Sequence, residues 1–100
     1  MEKEFIVKIP EDLSIKVERL FYEHNAGMQS VAFLTKDKDV PMDLLKWKID
    51  QTETVCAELE MLKTAVAKKY APEYLRVRKK PYDFEFLFDT NEISYTFTEE

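Results

Sequence analysis

The chain has 100 residues, a single cysteine and a formal charge of −5. That length supports one hydrophobic core, the lone cysteine rules out an internal disulfide or a thiolate zinc cluster, and the acidic balance opposes non-specific attraction to phosphate backbones. With 45% hydrophobic and 35% charged residues the composition is that of a folded chain, and one domain covering 1–100 is expected.

Phe5, Val7 and Ile9 alternate with Ile6 and Lys8 until Pro10, which has no amide hydrogen to continue a ladder, so a first strand is predicted here. The apolar stretch is broken by Lys8, too short for a signal-peptide core or a membrane span, and with one unpaired thiol it suits a reducing, cytoplasmic setting. Glu11 and Asp12 place negative charge where a helix presents unpaired amides, and Leu13, Val17, Leu20, Phe21 and His24 recur at helical spacing. This predicts a short helix ending near Asn25. Asn25, Ala26 and Gly27 carry the one glycine and read as a turn; Met28, Val31, Ala32 and Thr35 then mark a second short helix ahead of a charged loop over 36–39.

Pro41 suits the first turn of a helix, and no breaker follows until Pro72, giving a long helix of roughly thirty residues, about 45 Å at 1.5 Å per residue. A rotation of 100° per residue gathers Leu44, Leu45, Ile49, Thr52, Val55, Cys56, Leu59, Leu62, Val66 and Tyr70 into one stripe. Lys48 and Lys63 interrupt its borders, where their stems can lie along apolar surface. Trp47, Thr54, Met61 and Ala65 form a second line on the opposite side, and two apolar faces need two partners: either the hairpin covers one and the short helices the other, or the second line is a self-association surface.

The segment 74–80, where Leu75 and Val77 alternate with Arg76 and Arg78, reads as an extended connection or a short strand. A β-hairpin follows. With Asp89, Thr90, Asn91 and Glu92 as its loop, Phe88 opposes Ile93, Phe86 opposes Tyr95 and Phe84 opposes Phe97, which puts every aromatic on one face. The expected fold is therefore α+β: an N-terminal strand, two short helices, one long helix, and a C-terminal antiparallel hairpin packed on the long helix by its aromatic face.

Charge is segregated along the second half. Residues 63–80 hold seven bases against the single acid Glu73, and 81–100 hold six acids and no base. The basic segment of Lys68, Lys69, Arg76, Arg78, Lys79 and Lys80, interleaved with Tyr70, Tyr74 and Tyr82, is a candidate phosphate contact; the plainer account is that these bases favour the negative end of the helix dipole and offset the acidic hairpin. The hairpin acids Asp83, Glu85, Asp89 and Glu92 form either a solvated face that discourages edge pairing or a dock for a basic partner. His24 has no second histidine or cysteine beside it, Cys56 sits on the apolar stripe as a small hydrophobe, and the carboxylates lie on open surface. No catalytic, cofactor-binding or metal-binding set is expected, and no small-molecule substrate.

The short strand of Phe5, Val7 and Ile9, Pro10 followed by acidic helix-starting residues, the turn at Gly27 and the helix after it together resemble a ribbon-helix-helix DNA-binding module over 5–36. The resemblance covers about a third of the chain. It implies that strands of two subunits pair, that Glu4, Ile6 and Lys8 face the major groove, and that the protein dimerises.

Small size, the absence of a glycine-rich loop or ligand cluster, and segregated charge point to a non-catalytic interaction or structural protein, of the bacterial or phage accessory kind, outside any membrane. Its expected partner is another protein, itself included, through the helix line Trp47, Thr54, Met61 and Ala65 and through the acidic hairpin. The alternative is a ribbon-helix-helix-like DNA-binding regulator working as a dimer through residues 4–36.

Overall fold

A computed structural model of the chain describes residues 1–98; Glu99 and Glu100, two of the six acids of 81–100, lie outside them. The element order is β1 (Glu2–Lys8), α1 (Glu11–Lys36), α2 (Met42–Tyr70), α3 (Glu73–Arg78), β2 (Asp83–Leu87) and β3 (Glu92–Thr98). The three strands form one antiparallel sheet in the order β1-β3-β2, so the fold is α+β. Two compact units emerge, one made of 1–16 with the chain from residue 63, the other of 17–62.

In the first unit the strands bury one face. Ile93, Tyr95 and Phe97 of β3 and Phe86 of β2 are buried with Ile9, and Val66, Ala67, Ala71 and Leu75 complete the core from α2, α3 and the junction between them. Tyr95 marks where sheet and helix meet: its hydroxyl donates to the Ala67 carbonyl at 2.6 Å. The expected hairpin thus exists and faces the long helix, but its register differs. Phe86 pairs with Ile93 and Phe84 with Tyr95, and the loop is 88–91, not 89–92. Asn91 explains the shift. It adopts φ 55°, a left-handed conformation that asparagine tolerates, and so ends the loop one residue before Glu92. Phe88 leaves the ladder and stacks on Phe86 at 6.1 Å. Because the offset changes by an even number of residues, the side chains that remain in the strands keep their expected face.

Within 74–80, where a strand or extended connection was expected, residues 74–78 are helical. Pro72 supplies the first carbonyl of α3, accepting from the amides of Leu75 at 3.0 Å and Arg76 at 3.2 Å, and Lys79 closes the helix at φ 56°. Of the two apolar residues whose alternation suggests a strand, Leu75 is buried and Val77 is 70% exposed, so only one belongs to the core.

The second unit is an αα-hairpin whose loop is fixed locally, with Asp37 Oδ1 accepting from the Asp39 amide at 3.0 Å and the Pro41 carbonyl accepting from Leu44 and Leu45. One long α1 replaces the two short helices and the turn expected at Gly27. Gly27 lies inside the helix with no positive φ. Its role is close approach: a Cβ placed there would meet Thr52 Oγ1 at 2.6 Å and Cγ2 at 3.1 Å. Thr52 cannot easily yield, because its hydroxyl donates back to the Lys48 carbonyl at 2.8 Å. Val17, Leu20, His24, Gly27, Val31 and Leu34 keep an alternating spacing of three and four through the glycine, all buried or half-buried, which is the pattern of a helix seam. The α2 stripe follows suit, with Thr52 and Leu59 buried and Leu45, Ile49, Val55, Cys56 and Leu62 half-buried; Leu44 stays exposed.

These contacts predict a change of sign. Gly27→Ala should destabilise the chain by about 1–2 kcal/mol, overpacking outweighing the roughly 1 kcal/mol that alanine gains in a helix interior. In a Thr52→Ala background the same substitution should stabilise. Urea titrations of the four proteins read the cycle, and equal effects of Gly27→Ala in both backgrounds would disprove the close contact.

Candidate interaction surfaces

Of the basic segment, Arg76 engages the carboxyl end of α2. The last carbonyls of a helix have no donor within it, and here they are met by side chains. Tyr95 serves Ala67, and Arg76, one turn into α3, turns its Nη2 back to the carbonyls of Lys69 and, at 3.4 Å, Lys68. Arg78 lies with its guanidinium carbon 4.5 Å from the Phe97 ring centre and 5.8 Å from that of Tyr74, and its Nη2 donates to the Thr98 carbonyl at 3.1 Å. Its Nη1 is buried and meets no acceptor among the described residues. Phe5, Tyr74 and Phe97 pack together beneath it, with centroid distances of 5.5 to 6.0 Å. Lys69 sits 5.5 Å from the Tyr70 ring, and Lys68, Lys79 and Lys80 are exposed.

The Tyr95 hydroxyl is strongly perturbed. Burial pushes its pKa from 10.0 up to about 12; the neighbouring Tyr82 phenol adds to the shift and Arg76 opposes it. A donated hydrogen bond to a carbonyl needs the proton, so the neutral phenol is the form that fits the site.

The acids are arranged as a sheet surface. Asp83 and Glu85 are exposed on β2, Glu92 is half-buried on β3, and Asp89 is exposed in the loop. The pairing register sets Glu2 and Glu4 of β1 on the same outer face, two acids that the sequence reading left out although the alternation of Glu2, Lys3, Glu4 and Phe5 already placed them opposite the aromatics. Ser94 Oγ donates to Glu4 Oε2 at 2.9 Å across this face, and Lys8 lies opposite Glu92. Ile6, between them, is 53% exposed.

Along α2, Trp47 is 58% and Met61 74% exposed, and Thr54 is exposed with its hydroxyl donating to the Asp50 carbonyl at 3.0 Å. Ala65 is exposed too, in the other unit. In the αα-hairpin Phe33, Leu34, Leu44 and Trp47 line an open apolar groove with Lys48 at its rim, where the ammonium donates to Gln51 Oε1 at 3.1 Å and lies 6.0 Å from the indole. His24 and Cys56 are half-buried, and the described residues hold no cluster of three or more histidine, cysteine or acidic side chains able to share a metal ion. No described helix is long and apolar enough to cross a membrane. Comparisons with protein families, with curated proteins and with solved structures return no match.

The geometry around Tyr95 predicts an alkaline transition. The native state holds the phenolic proton more tightly than the unfolded chain, so stability is fully present below pH 10 and falls as pH rises toward 12, by about 2–3 kcal/mol at most. Tyr95→Phe should cost about 1–3 kcal/mol at pH 7, leaving the Ala67 carbonyl without its donor, and should flatten that alkaline decline. Denaturant titrations from pH 7 to 11 compare the two slopes; parallel curves would place the titration elsewhere.

Proposed function

We propose that this chain is a non-catalytic protein-binding module that associates with copies of itself through the outer line of α2. The observation that carries this reading is an imbalance in the αα-hairpin. Val17 and Leu59 are its buried apolar side chains, whereas Phe21, Tyr22, Met28, Phe33, Met42, Leu44, Trp47 and Met61 are all exposed by more than a third. A fully buried side chain of this size contributes about 1.5–3 kcal/mol, so two helices that leave so many in water gain strongly from a partner.

Trp47, Thr54 and Met61 follow one another at seven-residue spacing, the repeat of a helix seam. In an antiparallel pair of α2 helices centred on Thr54, each Trp47 meets its partner's Met61, and the basic Lys46 and Lys48 near one end face the acidic Glu58 and Glu60 near the other. Aromatic and methionine side chains are enriched at the centres of such contacts. The acidic sheet face offers a second surface, suited to a basic partner.

The ribbon-helix-helix reading has less behind it. Its turn at Gly27 and its second helix are replaced by a single α1, and β1 pairs with β3 of its own chain. Glu4, Ile6 and Lys8 are exposed, but two acids at Glu2 and Glu4 oppose a phosphate backbone.

Light scattering tests the proposal. At about 100 μM the unmodified chain should show a mass of at least two chains, and Trp47→Ala with Met61→Ser should lower that mass without loss of helix content, since both side chains are exposed. A single-chain mass for the unmodified protein, or no change on substitution, would refute self-association through this line.

A further inference from the structure

β1 is an edge strand of the sheet. The Ile9 amide donates to the Asn91 carbonyl at 2.9 Å, and Ile9 stands opposite Asn91 in the register that continues through Val7↔Ile93, Phe5↔Tyr95 and Lys3↔Phe97. In an antiparallel ladder, residues alternate between sending both backbone groups to one neighbour and both to the other side. The odd residues of β1 therefore bond β3. Glu2, Glu4, Ile6 and Lys8 direct their N–H and C=O groups outward, along an edge that no described strand covers.

We infer that two copies of the chain join β1 to β1 antiparallel about a two-fold axis at Phe5, making one continuous sheet of two sets of three strands. Three features select this pairing. First, it uses the whole edge: Glu2 meets the partner's Lys8 and Glu4 the partner's Ile6, with the mirror pairs on the other side, so each outward N–H and C=O of the four residues acquires a partner. Second, the charges complement, because Glu2 and Lys8 face each other twice, whereas centring the axis on Glu4 would set that acid against itself. Third, Phe5 falls on the axis in a non-hydrogen-bonded pair, where side chains approach most closely, and it is 36% exposed in the single chain with one ring face already stacked on Phe97 at 5.5 Å.

The opposite edge of the sheet shows the contrast. β2 has five residues against seven in β1, Pro81 lies just ahead of it, and self-pairing centred on the strand would oppose Glu85 to Glu85. On β2 the charges therefore clash across a self-pairing axis, whereas those of β1 complement across the axis at Phe5. The contact involves no residue of the α2 line and stands independently of self-association there.

Residue-resolved hydrogen exchange on the unmodified chain tests the inference. The amides of Lys3, Phe5 and Val7 report the native sheet and should be protected at every concentration. Those of Glu2, Glu4, Ile6 and Lys8 should be protected in a concentration-dependent way, exchanging roughly threefold more slowly or better when the protein is raised from ~50 μM to ~1 mM, as mass action requires. Even-residue amides that exchange freely at all concentrations would overturn the proposal by showing a bare edge. Protection independent of concentration in a particle of single-chain mass would also overturn it, by showing that the chain covers its own edge.

Two sets of variants fix the register. Ile6→Pro removes an outward amide that the β1–β3 ladder does not use, so it should abolish the even-residue protection and leave the odd residues protected; retained even-residue protection would refute the pairing. Glu2→Lys and Lys8→Glu each place like charges across the axis and should lose even-residue protection alone. Mixing the two variant chains should restore it, because in the mixed pair each position 2 meets an unlike charge at the other chain's position 8. No recovery on mixing, with odd-residue amides protected throughout, would defeat the Phe5-centred register. A failure here leaves Trp47→Ala with Met61→Ser still able to lower the mass, and a failure of that pair leaves the β1 protection untouched, so the two readings are separable.

Discussion

The carboxyl end of α2 organises the unit that contains the sheet. The last carbonyls of a helix have no donor within it, and those of Ala67, Lys68 and Lys69 are met by a phenol from β3 and a guanidinium from α3, the first bond buried and the others exposed; only the buried carbonyl of Ala67 would cost about 1–3 kcal/mol if left unmet. One donor comes from far along the chain, the other from the next helix. Tyr95 reaches Ala67 only if the aromatic face of β3 lies against α2, and Arg76 turns back only because Pro72 starts a new helix after Tyr70. Two of the seven bases of 63–80 thus have structural partners of this kind, Arg76 at the helix end and Arg78 over Phe97.

The two units differ in how completely they close. Around Tyr95 the aromatic side chains find one another, with Tyr82 against Tyr95 at 5.6 Å and Phe5, Tyr74 and Phe97 in mutual contact, a well-filled core of the kind that specifies one arrangement. The αα-hairpin is held at Gly27 and Thr52 by backbone proximity instead of bulk. Small residues let helices come close, yet they bury little apolar area, and the large side chains of that unit are displaced to its outside.

What was legible in the sequence follows from how local each signal is. Period-two alternation placed the aromatics that remain in the hairpin strands on their proper face, because face depends on parity alone. The pairing offset did not follow, since it turns on whether Asn91 accepts a left-handed backbone, a choice made by the loop. The uninterrupted spacing from Pro41 to Pro72 set the long helix. Gly27 was misleading because a glycine marks a turn and a close approach with the same letter; the seam spacing of His24, Gly27 and Val31, unbroken across it, was the discriminating sign. Leu75 and Val77 imitate a strand in six residues that are too few to show helical period. Trp47 and Met61 of the second line read on α2 are exposed, and local alternation sets Glu2 and Glu4 opposite the aromatics, while the pairing of β1 with β3 that joins them to the hairpin acids is long-range.

That long-range pairing has a kinetic side. Every rung between β1 and β3 joins residues more than eighty positions apart, while β2 and β3 are joined by a four-residue loop. Closing the larger loop costs more chain entropy and must be met before the ladder returns any of it, so the hairpin forms early and β1 docks late. During synthesis Phe5, Ile6 and Val7 leave the ribosome long before the strand they pair with. For that interval this apolar strand has both edges open, and the charges of Glu2, Lys3, Glu4 and Lys8 that flank it act as gatekeepers against aggregation.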